Sequence, residues 1–145
     1  MCNTQTTAQL TTSTPTEARK PVWKHGVVAA VVASLATTVL AAVASAAGVS
    51  FAGSSGDASI PIAGFAELTL AFSLVGVAIA AVMARKARRP RHTFARTAIA
   101  LTALSFVPDL TFGFDAASAA TLISLHTIAA AIMIPTLTRR LAHTR

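Results

Sequence analysis

All twelve Lys and Arg residues of this chain fall into three clusters, and long apolar runs lie between the clusters. The first cluster is Arg19, Lys20 and Lys24. The second is Arg85, Lys86, Arg88, Arg89, Arg91 and Arg96. The third is Arg139, Arg140 and Arg145. The two remaining polar stretches, residues 49–60 and 108–115, hold no Lys or Arg and carry Asp57, Asp109 and Asp115 instead. Cytoplasmic loops of membrane proteins collect Lys and Arg. Four crossings put all three clusters on one side of a bilayer; three or five crossings do not. The predicted fold is therefore all-α: a four-transmembrane-helix bundle, up-down-up-down, with the N and C termini cytoplasmic.

Composition agrees. Hydrophobic residues make up 54% of the chain and charged residues 12%, against about a quarter charged in an ordinary soluble domain. A soluble domain of this size buries only part of its surface, whereas lipid covers the rest of a membrane protein. The net charge of +7 raises nucleic acid as a partner. Basic residues that interrupt apolar runs do not form a soluble basic face, so nucleic acid is set aside. Anionic headgroups are the better match.

The Thr-rich segment 1–22 has no apolar periodicity and is expected to be a disordered cytoplasmic tail. Its Cys2 is the one cysteine, which rules out an internal disulfide. The membrane domain is expected over 23–140, with helices near 26–48, 62–84, 93–107 and 116–137, followed by a basic tail at 141–145. The first run, Gly26 to Gly48, is uncharged and exceeds the ~20 residues that span ~30 Å of hydrocarbon. Trp23 and Lys24 precede it as interfacial anchors. The run also resembles a signal peptide ending in Ala44-Ser45-Ala46. It is longer than the roughly 7–15 residues of such a core, so a retained span is expected. Pro61 fits the first turn of helix two. Pro90 interrupts the basic stretch, and Arg96 is placed to snorkel. Pro108 is expected to end helix three, Asp115 to cap helix four, and Pro135 to kink it.

Helices in lipid associate through small and polar residues. Four such stripes follow from helical spacing: Ser34, Thr38, Ala41 and Ser45; Gly64, Glu67, Ala71 and Ala78; Ala98, Thr102, Ser105 and Asp109; Ala119, Ile123, His126 and Ala130. Bulky Leu, Val, Ile and Phe are expected to meet lipid.

Three ionisable residues fall at membrane depth: His126 near the middle of helix four, Glu67 in helix two and Asp109 at the outer end of helix three. An intramembrane ionisable residue is a functional candidate by default. His changes charge near neutral pH, so His126 with Glu67 or Asp109 makes a candidate proton or cation site. The plainer reading gives His126 a packing hydrogen bond, Glu67 a wet interface and Asp109 a turn to cap. No metal site is expected, because no H-x-x-x-H or C-x-x-C is present and one His with carboxylates is a poor zinc set. No nucleotide or hydrolase signature occurs, and no cofactor is expected. The stretch Arg85, Lys86, Arg88, Arg89, Arg91 and Arg96 is a candidate contact for headgroups or a partner.

The order SFVPD at 105–109, then an acidic turn, then LISLHTIAAAIMIP at 122–135, resembles a bacterial family of small four-helix membrane proteins, domain of unknown function 6069. Ser105, Pro108, Asp115, Leu125, His126 and Pro135 carry the likeness, which extends over about residues 24–140. The resemblance implies the same four-span fold and brings no activity. Glu67 and Asp109 are not carried by it.

The leading expectation is a non-enzymatic accessory or scaffold subunit of the bacterial plasma membrane, with the bilayer, a second copy or another membrane protein as partner. The alternative is a small proton- or cation-coupled carrier. A membrane enzyme is a distant third, since no concave set of convergent polar groups can be assembled from this inventory.

Overall fold

The computed structural model describes residues 22–52 and 59–142. The expected disordered tail, the loop acid Asp57 and the chain from His143 onward lie outside the described residues. The described residues form four helices: α1 (Val22–Ala46), α2 (Ile62–Lys86), α3 (Pro90–Thr111) and α4 (Ala116–Ala142). Three of them, α1, α2 and α4, are long and apolar enough to cross a membrane. In α3, Arg91, His92, Arg96 and Asp109 interrupt the apolar sequence.

Two apolar clusters fix the chain direction. One gathers Ala29, Ala30 and Ala33 near the start of α1, Val77 and Ala80 late in α2, Phe94 early in α3, and Met133, Leu137 and Leu141 late in α4. The other gathers Ala41, Phe51, Phe65, Leu122 and Leu125. Each helix therefore runs opposite to the one before it. The first cluster marks a basic end, which holds every described Lys and Arg. Glu67, Asp109 and Asp115 lie toward the other end.

On α1 the usual packing is inverted, with small residues inside and large apolar ones outside. Ala30, Ala33 and Ala41 are fully buried, while Val28, Val32, Leu35, Val39 and Val43 are exposed. Small residues let helix backbones approach closely where lipid removes the usual hydrophobic drive. The Ser34 hydroxyl donates to the Ala66 carbonyl at 2.8 Å, and the Thr37 and Thr69 hydroxyls are 3.1 Å apart, so polar contacts also join α1 to α2.

Helix ends differ from expectation where proline is involved. α1 stops at Ala46 in a left-handed cap: Gly48 has φ +97, Val49 N–H bonds Ala44 O, and Gly48 N–H bonds Ser45 O. A positive φ at this position suits glycine. Pro61 sits just before α2 in an extended conformation instead of opening its first turn. Pro90 opens α3 and does not merely break the basic loop; proline suits that position because the missing N–H would have no acceptor there. Pro108 does not end α3, which continues to Thr111. The Ser105 and Thr111 hydroxyls donate to the Thr102 and Val107 carbonyls on either side of it, while the carbonyl whose N–H partner the proline removes is that of Leu104. α4 likewise passes Pro135 and reaches Ala142.

Asp115 caps α4. Its Oδ1 accepts the Ser118 N–H at 2.8 Å and its Oδ2 accepts the Ser118 hydroxyl at 2.7 Å. The same Ser118 oxygen accepts the N–H of Phe51, which has φ +51 and packs edge-on to Phe65. The cap thus ties the α1–α2 loop to α4. The Ser118 N–H, then its hydroxyl, holds the Asp115 carboxyl below the usual carboxylate range. Its stabilising effect is full above the unfolded value of about 4 and fades as pH falls through the lower folded value. A thermal-stability titration in detergent is expected to show a limb below about pH 4 that Asp115→Asn removes, since Asn caps without titrating.

Candidate functional site

Continuation of α3 past Pro108 turns Asp109 toward α4. Its side chain is 7% exposed, and its Oδ2 lies 3.1 Å from Nδ1 of His126, whose side chain is 40% exposed. Nδ1 is also 3.0 Å from the Leu122 carbonyl one turn back. The two acceptors compete for one N–H. The ring is aligned on the carbonyl, and Asp109 Oδ2 is buried without a directed hydrogen bond among the described residues. Phe106 stands against the imidazole, with ring centroids 6.4 Å apart and planes at 70°. Nε2 has no hydrogen-bond partner among the described residues.

This contact lies in a part of α3 that buries no other residue completely. The buried residues of α3 are Pro90, Phe94 and Asp109. Phe94 belongs to the cluster at the basic end, and no α3 residue enters the opposite cluster. Beyond Phe94, the one fully buried residue of α3 is therefore a carboxylate, and it faces a histidine.

The arrangement can move a proton. A neutral His126 offers its Nδ1–H to Leu122 and Asp109 and keeps Nε2 as a base. A proton taken at Nε2 gives an imidazolium with a carboxylate oxygen 3.1 Å away. Among the described residues no group of three or more His, Cys, Asp or Glu side chains gathers that could hold a metal ion.

Of the three candidates read from the sequence, the structure unites His126 and Asp109 and leaves Glu67 out. Glu67 is exposed on α2 and pairs with neither. Its proposed stripe is corrected too: Ala71 and Ala78 are exposed, and α2 buries Phe65, Ser73, Val77 and Ala80. On α4 the bulky Leu122, Leu125, Leu137 and Leu141 face inward rather than toward lipid. The α3 stripe is inward: Ala98, Thr102 and Ser105 are half-buried and Asp109 is buried. On α1, Ser34 and Ala41 are buried, but Ser45 is exposed and Thr37 takes the place assigned to Thr38. Arg85, Lys86, Arg88, Arg89, Arg91 and Arg96 are all exposed at the basic end.

Sequence reasoning missed Phe106, the Leu122 carbonyl and His25. Phe106 lies one turn before Asp109 and one residue after the Ser105 stripe position, which was the available signal. His25 has a buried Nδ1 without a partner among the described residues. It shares the spacing of the buried Ala29 and Ala33.

Residues 17–143 match the model of a family described as a family of unknown function, DUF6069. Neither the curated proteins nor the solved structures provide a match to the chain.

Proposed function

We propose, for a chain that belongs to the family of unknown function DUF6069, a non-enzymatic protein of the bacterial plasma membrane that exchanges protons through His126 and Asp109 as a small proton-coupled carrier. The observation that carries this reading is the 3.1 Å approach of Asp109 Oδ2 to His126 Nδ1. A carboxylate and an imidazole at membrane depth are costly, and they occur together in proton relays.

In this reading α3 is the fourth span and both termini are cytoplasmic. The 22 residues of α3 rise about 1.5 Å each and reach ~33 Å, enough for the ~30 Å core. Arg91 and His92 then lie among headgroups, and Arg96 snorkels to join them. All described Lys and Arg residues fall on the cytoplasmic side, as the charge rule requires. His126 and Asp109 lie in the outer half. Loading of Nε2 converts a contact between a neutral imidazole and the Asp109 carboxylate into an ion pair between α3 and α4, so protonation alters the hold on the outer half of α3.

A second reading, an accessory subunit, draws on α4. Its exposed residues include Ala117, Ala120, Ser124, Thr127, Ala131 and Pro135, and none of the exposed large apolar side chains belongs to it. Such a face suits another helix.

Proteoliposomes carrying a pH dye inside, with a potassium–valinomycin potential, separate the two. The carrier reading expects inward proton flux above protein-free vesicles, lost in His126→Ala and in Asp109→Asn. Absence of flux in the unaltered protein, or equal flux in His126→Ala, sinks the carrier and leaves the accessory subunit.

A further inference from the structure

We propose that the cleft between the start of α3 and the end of α4 is a binding site for the phosphate of an anionic phospholipid. The cleft has a volume of about 150 Å³ and is lined by Arg89, Pro90, Arg91, His92, Leu141 and Ala142. This inference does not use the His126–Asp109 pair and goes beyond the proton-exchange reading.

Three observations converge. First, the cations here lack partners within the described chain. The ion pair among the described residues is His126 with Asp109, and Glu67, Asp109 and Asp115 all lie toward the other end. Arg89 and Arg91 line the cleft, Arg88 directly precedes them in the chain, and all three are exposed with no described carboxylate to neutralise them. Second, the helix start is open. The first turn of α3 carries no acid, and Arg89 makes no side-chain cap. The first intrahelical bond runs from Thr93 N–H to Arg89 O at 3.1 Å. The N–H groups of Arg91 and His92 precede it and have no intrahelical acceptor, and such groups bind phosphate. Third, apolar surface adjoins the arginines. Pro90, Leu141 and Ala142 complete the cleft lining, with Ala142 exposed and the other two buried, and Ile99, Leu101 and Leu104 lie exposed further along α3.

The exposed apolar surface decides the ligand. A free phosphate gains nothing from Ala142 or from Ile99, Leu101 and Leu104. A phospholipid places its phosphodiester against the guanidinium groups, which match it bidentately, and its glycerol and acyl chains against Ala142 and the exposed α3 face. Basic pockets between membrane helices bind anionic lipids in this way.

The test is native mass spectrometry of the full chain purified in detergent, with dioleoyl phosphatidylglycerol or dioleoyl phosphatidylcholine added. Each cation near an anionic surface contributes a factor of about five in affinity. The R88Q/R89Q/R91Q variant is therefore expected to lose up to about a hundredfold in phosphatidylglycerol retention. K24Q/R85Q/R139Q removes the same charge from residues that do not line the cleft and is expected to lose clearly less. Should the Gln triple variant fail to reach the membrane, R88K/R89K/R91K keeps the charge and serves instead, with retention reduced through loss of the bidentate geometry. Equal retention of the two lipids, equal loss in the two Gln variants, unaltered retention in the Lys variant, or displacement of the lipid by excess inorganic phosphate each overturns the proposal.

Discussion

His126→Leu is expected to destabilise the protein by about 2 kcal/mol, and adding Asp109→Leu is expected to restore most of that loss. The pair is asymmetric. His126 is 40% exposed and Asp109 is 7% exposed at the side chain. Removing one partner of a fully buried pair costs roughly 3–5 kcal/mol, because a charge is left behind. Interhelical hydrogen bonds in membranes are worth only about 0.6 kcal/mol on average. The half-open histidine places this pair between those limits. Nearly all of the cost comes from the stranded Asp109 carboxylate, so removing that group as well removes the cost. The double variant replaces a polar contact with two leucines where α3 otherwise has no buried apolar residue beyond Phe94. Replacing a buried pair with apolar residues is often neutral or stabilising. Unfolding in mixed detergent and dodecyl sulfate reads both variants. About 2 kcal/mol is roughly a thirtyfold change in the folded-to-unfolded ratio. A double variant no more stable than His126→Leu alone shows that the two residues are not coupled.

The sequence made the long apolar helices easy to read and their rotations hard to read. Charge placement located α1, α2 and α4, because a long run free of Lys and Arg with a cation cluster at one end suits a membrane span and little else. The limits of α3 were misread at both ends for one reason. Pro90 and Pro108 look like breaks, but one occupies the position where its missing N–H is harmless and the other is carried inside a helix that continues to Thr111. The second misreading bears on function, since the turn past Pro108 is what delivers Asp109 to His126. The α2 face failed differently. Small residues were expected inside every helix, yet α1 supplies the small residues and its neighbours supply the large ones. Val77 and Leu137 fill the space that Gly26 leaves on α1. In lipid an apolar side chain is at home on either face, so hydropathy carries no rotational signal. Only complementarity between helices sets the face, and one sequence does not display it. His126 and Asp109 were legible as members of a short list of ionisable groups within or beside the apolar runs. That Glu67 stands apart from them is a consequence of the α2 rotation.

The same complementarity predicts opposite signs for two glycine-to-alanine changes. Both Gly26 and Gly76 lie inside helices, α1 and α2. Alanine is favoured over glycine in a helix interior by about 1 kcal/mol, so propensity alone stabilises both variants equally. Surroundings separate them. A Cβ at Gly76 meets nothing within 4 Å, and Gly76→Ala is expected to gain up to about 1 kcal/mol. A Cβ at Gly26 sits 2.7 and 2.8 Å from the two Cγ atoms of Val77 and 3.2 Å from Leu137 Cδ2. Val77 is β-branched and buried in the cluster at the basic end, so its methyl groups cannot swing clear without leaving their one favoured helical rotamer. Relief has to come from α1 moving away from α2 and α4. Overpacking of this kind costs about 1–3 kcal/mol, and the loss grows because Ala29, Ala30 and Ala33 depend on the same close approach. Gly26→Ala is therefore expected to lower stability despite better helix propensity, and Gly26→Val to lower it further. Thermal unfolding of the three variants in one detergent reads the signs directly. A Gly26→Ala protein at least as stable as Gly76→Ala shows that α1 does not approach α2 and α4 this closely at the basic end.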